Sequence, residues 1–220
     1  MSEGVKRRYD SGRRAAQARE NRLRVLAAAQ ELFVEKGYGA TTIAEVAAAA
    51  GVAVETVYAG FRTKLTLLRR AWDVAVGGDD ADMRLLDRPE LRAVFSEPDL
   101  RTRLARFATV NTAIMRRTAR LRLAVQGAAG GDPAAADLLA EIDRVRLESL
   151  GEHARAAAET GQLAVPEETC RDVLFATTDG SLWLSLVHRR GWSDEHYAAW
   201  LARLWIATLV EPADPVEPAG

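Results

Sequence analysis

The sequence predicts an all-α protein: a three-helix helix-turn-helix head, then a larger helical C-terminal domain, about nine helices in all. Three observations lead there. Apolar residues recur at helical spacing in one stretch after another, and no alternating period of useful length occurs. Gly, Pro and Ser/Thr/Asp punctuate those stretches where helices would end and begin. Two of the helices are very short and are joined by Ala50-Gly51-Val52, the layout of a helix-turn-helix.

Residues 1–14 hold Lys6, Arg7, Arg8, Arg13 and Arg14 with almost no apolar content and read as a flexible basic arm. The head follows over 15–62. Its first helix buries Val25, Leu26, Ala29, Leu32 and Phe33 and stops at Lys36-Gly37, where glycine permits a left-handed cap. Thr41 or Thr42 caps the second helix, and Glu45 completes a capping box with Thr42. That helix covers Ile43 to about Ala50 before Gly51 relieves the bend, and a third runs to about Gly60.

The second domain spans 63–210. Thr63 caps a helix whose expected apolar face is Leu65, Leu68, Trp72 and Val76. Gly77-Gly78 breaks it, and a short helix follows Pro89. Pro98-Asp99 opens a long helix, Leu100 to about Ala129, and Asp132-Pro133 opens another to about Thr160. Pro166-Glu167 begins a helix expected to reach about Arg190, and Ser193 caps the last, to about Val210. The tail 211–220 is acidic, Pro-rich and expected to be disordered.

Composition narrows the function. The chain is 48% hydrophobic and 28% charged, which suits a globular protein rather than a disordered one. No apolar run approaches the roughly 20 residues that span a bilayer, so no membrane partner is expected. The basic start lacks the apolar core of a secretory signal. Cys170 is the only cysteine, which excludes an intrachain disulfide. Together these features place the chain in the cytoplasm. The net charge of −1 hides an asymmetry: residues 1–72 hold 13 Lys+Arg against 7 Asp+Glu, +6, and the remainder is −7. A basic head on an acidic body suggests that the head alone meets a polyanion.

No catalytic constellation appears, so an enzyme is not expected. His153, His188 and His196 lack the paired spacing of a zinc site, Ser181 and Ser185 lack a nucleophile elbow, and no phosphate loop is present. Neither metal nor cofactor is expected, and Cys170 reads as a buried, inert thiol.

The head carries the functional signal. In a helix-turn-helix the second helix lies in the major groove with its first residues against the bases. Those residues are Ala53, Val54 and Glu55. The small side chains permit close approach, and Glu55 suits a cytosine amine. Phosphate contacts are expected from Thr42, Thr56, Tyr58, Lys64 and the arm.

Gly37-Tyr38, Thr41-Thr42-Ile43, Ala44-Glu45-Val46-Ala47, Ala50-Gly51-Val52, Thr56-Val57-Tyr58, Phe61 and Lys64 fall in one register. Over about Arg22 to Trp72 they resemble the DNA-binding domain of the TetR family of bacterial repressors. The resemblance implies double-stranded operator DNA as partner, a homodimer, and an unidentified small-molecule effector that binds the C-terminal domain and releases DNA. It also implies that Tyr58 and Lys64 touch phosphate. Ala59-Gly60 departs from the aromatic or His of many relatives and leaves the operator sequence open.

Two sites in the C-terminal domain follow. Asn111 and Thr118 interrupt the apolar stripe of the Leu100–Ala129 helix; such a group either hydrogen-bonds a neighbouring helix in the core or orients a ligand, and on the second reading Phe107, Asn111, Met115 and Trp183 are the expected effector pocket, with Asn111 the orienting group. Leu174, Thr177, Ser181, Leu184 and Val187 form one stripe, and Tyr197, Trp200, Leu201, Leu204, Trp205 and Leu209 another. Paired with a second copy they would build a four-helix bundle; the alternative is that they only seal the chain's own core.

Overall fold

In a computed structural model the backbone is described for residues 3–210 and the side chains for residues 16–210. Among these residues there are ten α-helices and no strand. Helix α1 (Glu3–Ala40) starts inside the stretch expected to be an arm: from Glu3 to Lys36 the chain is rich in Ala, Arg, Gln and Glu and holds no proline to stop a helix. It breaks at Gly37 (φ 80, ψ 166), a conformation open to glycine. The acidic tail lies outside the described residues.

Helices α2 (Ile43–Ala50) and α3 (Val54–Phe61) follow, separated by Gly51 in the left-handed region (φ 64, ψ 40). Helix α4 (Lys64–Gly77) is capped by Thr63, whose Oγ1 accepts from Thr66 N–H at 3.0 Å. Its buried face is Leu67, Leu68, Ala71 and Ala75, not the expected Leu65, Trp72 and Val76, which are half-buried. The periodicity was right in kind; the neighbours of α4 select a face turned by about one residue.

A 3₁₀ turn (Leu85–Asp87) leads to α5 (Pro89–Phe95), α6 (Leu100–Ala129) and α7 (Pro133–Ala158). Asp99 caps α6 by accepting from Thr102 N–H at 2.8 Å. The single helix expected after Pro166 is instead α8 (Glu167–Thr177), a break, and α9 (Ser181–Trp183) continuing into a π-helix (Leu184–Arg189). Gly180 (φ 92) makes the break. A Cβ there would lie 2.9 Å from the Ala119 Cβ, so only glycine lets the turn sit against α6. Helix α10 (Asp194–Leu209) is capped by Ser193.

The chain divides into two units. The first comprises residues 1–75 with 123–138, and the second 76–122 with 139–220. In the first, Val25, Leu26, Ala29 and Phe33 of α1 share a core with Val46, Val57, Phe61, Leu67 and Leu68. In the second, Leu91, Leu100, Leu104, Phe107, Leu174, Tyr197, Leu201 and Trp205 belong to one buried cluster. An aromatic stack runs through it: Phe107 faces His153 at 4.0 Å and Trp205 at 5.3 Å, and His153 faces Phe95 at 4.4 Å.

Candidate nucleic-acid interface

The reading head is set by local bonds that the sequence specifies. Thr42 Oγ1 accepts from Glu45 N–H at 3.2 Å, and Thr42 N–H donates to Glu45 Oε2 at 2.9 Å, the reciprocal capping box. Lys36 Nζ donates to Glu45 Oε1 at 2.8 Å. This bond first, then those from Thr42, lowers the Glu45 carboxyl to about 2. Thr41 turns inward, and its hydroxyl donates to Gly37 O and Leu32 O, tying the end of α1 to the start of α2.

Helix α3 buries Val57 and Phe61 and turns Ala53, Glu55, Thr56 and Tyr58 to solvent, with Val54 half-buried. Tyr58 is 51% exposed, unusual for a large apolar ring and suited to a surface that meets a partner. The expected base-reading residues thus share the exposed start of one helix with Thr56, and Tyr58 lies one turn further on.

Two expected phosphate ligands are engaged otherwise. The Thr42 hydroxyl donates to Glu45 Oε2 at 2.8 Å. Lys64 is engaged within the head: its ammonium donates to Tyr38 O at 2.8 Å, Thr41 O at 3.0 Å and Gly39 O at 3.4 Å. It also sits 4.3 Å from the centroid of the Tyr38 ring. An ammonium has three donors, and here all three point at the α1–α2 connection, so Lys64 ties the start of α4 to that connection. Sequence spacing cannot distinguish a lysine aimed outward from one folded back on carbonyls.

The residue that sequence reasoning missed is Arg62. It follows α3, is exposed, and holds φ 59, making it the only non-glycine with positive φ among the described residues. A non-glycine in that region costs about 1 kcal/mol or more and concentrates where a side chain must be aimed. Its one available signal was its position between the end of the reading helix and the cap of α4.

The profile of the bacterial regulatory proteins of the tetR family matches residues 25–71, the segment that builds these three helices and most of α4. The chain carries a TetR-family DNA-binding head. Solved structures agree over most of the length. A protein described as a TetR-family transcriptional regulator from Rhodococcus sp. superposes with a TM-score of 0.65 at 18% identity, covering 87% of this chain and 99% of that one. The regulator FadR from Bacillus subtilis, solved with stearoyl-CoA, gives 0.67 at 17% identity over 84% and 98%. A regulator from Saccharomonospora viridis, solved with choline, gives 0.64 at 22% identity over 86% and 97%. At these identities the likeness is one of fold. No curated protein matches the chain by sequence. With its TetR-type head and all-α fold, the chain is a helix-turn-helix transcription regulator.

Phe107, Asn111, Met115 and Trp183 are all buried in the core of the second unit, and none lines the cavity described there. That cavity uses the neighbouring face of α6, with Thr109, Val110, Ala113, Ile114 and Arg117. Helix α6 is buried around more than one face, so the residues expected to form the pocket and those that line this cavity are different sets. Thr118 back-bonds to Ile114 O, as a core threonine does, while Asn111 Nδ2 has no hydrogen-bond partner among the described residues. Trp183 Nε1 is taken by Asp194 Oδ1 at 2.9 Å.

The stripes expected to pair two copies are split in the same way. Leu174, Leu201 and Trp205 are 0–1% exposed, and Leu184 is also buried, so these four seal the chain's own core. Thr177 accepts from Trp205 Nε1 at 2.9 Å. Thr177, Ser181, Val187, Trp200 and Leu204 of the expected stripes retain surface. Cys170 is fully buried, and burial, then the Glu167 charge, pushes its thiol up to about 11, as befits an inert thiol. No group of three or more His, Cys, Asp or Glu suited to a metal ion occurs among the described residues, and no single described helix is long and apolar enough to cross a membrane.

Proposed function

We propose that the chain is a homodimeric repressor that binds a near-palindromic operator through α3 and leaves it when a small molecule occupies the C-terminal domain. The exposed first turn of α3 carries this reading: small residues and Glu55 sit on a short helix anchored by its buried Val57 and Phe61 and entered from the Gly51 turn that ends the capped α2. Ala53, Val54 and Glu55 read base edges, and Thr56, Tyr58 and Arg62 hold phosphates. The half-buried Trp200 and Leu204 on α10, with the exposed Ser181 and the half-buried Thr177 and Val187, form the part of the expected dimer surface that remains open to a second copy.

Ligand response is supported by the cavity in the second unit and by the choline and stearoyl-CoA bound to structurally similar regulators. Helix α4 starts in the head, while Val76 and Gly77 at its end belong to the second unit, so a shift of that end is carried along a continuous helix. A ligand preferring the released state 100-fold supplies about 2.7 kcal/mol, within the usual range of coupling.

The test is mobility-shift titration against the DNA upstream of the chain's own gene, over a range of salt. Tyr58→Phe and Arg62→Gln should each weaken binding on specific and random DNA alike, and Arg62→Gln should shallow the salt slope by about 0.9. No binding above random DNA would overturn the assignment.

A further inference from the structure

Helix α4 ends at Gly77, and Gly78-Asp79-Asp80 leads the chain away. Two guanidinium groups lie on this end. Arg117 Nη2 donates to Val76 O at 3.0 Å, one of the terminal carbonyls that a helix leaves without an internal partner. Arg88 grips Asp79 with two parallel bonds, Nη1 to Oδ2 at 2.9 Å and Nη2 to Oδ1 at 2.8 Å. A Cβ on Gly77 would fall 2.6 Å from Arg88 Nη2, and one on Gly78 (φ 85) 3.4 Å from Arg117 Cζ. The paired glycines therefore let both guanidiniums settle against the backbone.

The pair is lopsided. The Arg88 side chain is 12% exposed and that of Asp79 is 55% exposed. Arg88 Nε is buried and has no hydrogen-bond partner among the described residues. The cation is thus held by the fold, and the carboxylate comes to it from the solvent side. Burial, then the charges of Arg116 and Arg88, pushes Arg117 below the usual arginine range against the opposing pull of Asp79 and Glu90, so a further negative charge beside its guanidinium would favour it.

Beside the two arginines opens a cavity of about 440 Å³, within the usual size of small-ligand sites. Leu85, Leu91, Val110 and Ile114 supply an apolar wall, Asp79, Arg88 and Arg117 a polar end, and the exposed Glu90 part of the lining. We propose that this cavity binds a small organic anion, a carboxylate on an apolar body, whose carboxylate exchanges with that of Asp79 on Arg88 and is shared with Arg117. A planar, two-pronged seat that already fits one carboxylate fits another. A neutral ligand offers nothing in return for uncoupling Asp79, and a cation meets two guanidiniums. Exchange frees the Gly77–Asp80 segment from Arg88 and so loosens the end of α4. The binding site stands by itself; its regulatory effect rests on the ligand-released repressor proposed above.

Octanoate and its neutral isostere octanamide test this by calorimetric titration of the full chain. Octanoate should bind saturably and octanamide at least about tenfold more weakly, the difference of one charge-assisted contact. Arg117→Gln should weaken octanoate by about tenfold or more, with helicity unchanged by circular dichroism. Asp79→Asn removes the competing carboxylate and should tighten octanoate, a gain that misfolding cannot imitate. Equal affinity for acid and amide, no tightening in Asp79→Asn, or no saturable binding up to about 10 mM octanoate would each overturn the proposal. If octanoate binds as expected yet leaves operator affinity unchanged, the anion site stands and the released-repressor reading fails.

Discussion

Lys64→Met separates two roles that one residue cannot hold at once. Methionine keeps the unbranched stem over the Tyr38 ring and removes the ammonium. Two of its bonds are short, 2.8 Å to Tyr38 O and 3.0 Å to Thr41 O, and the third, to Gly39 O, is long at 3.4 Å. Hydrogen bonds from a charged donor contribute about 1.5–3 kcal/mol when buried. These carbonyls are only partly buried and can recover water, so the lower end applies, and the cation–π contact at 4.3 Å adds about 0.5 kcal/mol. The variant should lose about 2 kcal/mol. For a chain of 220 residues that corresponds to a melting temperature lower by about 4–8 °C. Thermal unfolding gives this number, and the salt dependence of DNA binding gives its complement. A clamp predicts lower stability with an unaltered salt slope. Undiminished stability with a slope shallower by about 0.9 would show that Lys64 meets phosphate, and the reasoning from its three carbonyl partners would be refuted.

Glu55→Ala should alter preference at one base pair by about 1–3 kcal/mol and leave the rest of the site unaffected; equal loss on random DNA would remove Glu55 from base reading. Gly180→Ala should destabilise the chain by about 2 kcal/mol, because φ is 92 and the new Cβ meets Ala119 at 2.9 Å; an unchanged denaturation midpoint would contradict it. Burial, then the Arg103 charge, lowers His153 to about 3 from its ordinary 6.5, so the unfolded chain takes the proton first. The stability held by its neutral ring is complete above about pH 6.5 and is lost as pH falls toward 3. His153→Phe, measured by urea denaturation between those values, should flatten that decline; an equally steep decline would assign it to other groups.

Much of the architecture was legible because helix ends are local chemistry. Thr42 with Glu45, Gly51, Asp99 and Ser193 each satisfy backbone groups within four residues of themselves, so their positions could be read from short windows. The break at Gly180 was not legible, because an isolated glycine in a helical pattern is tolerated until a neighbouring helix presses on it, and Ala119 is 61 residues away. The reading surface of α3 was legible for the same local reason: a short helix that buries Val57 and Phe61 must expose Glu55, Thr56 and Tyr58.

The sequence alone therefore determined the helical class, most helix ends, the register of the TetR-type head and which side of α3 faces out. Tertiary structure decided where charged and apolar side chains of the longer helices go. It turned the Lys64 ammonium onto carbonyls 23 to 26 residues away, buried Leu201 and Trp205 in the chain's own core, and set Arg88 and Arg117 against the end of α4. Periodicity specifies a face of a helix but not its neighbour, because an apolar stripe gains the same free energy from any apolar partner. A long cationic side chain is freer still, able to reach several acceptors, and only the assembled fold shows which of them it meets.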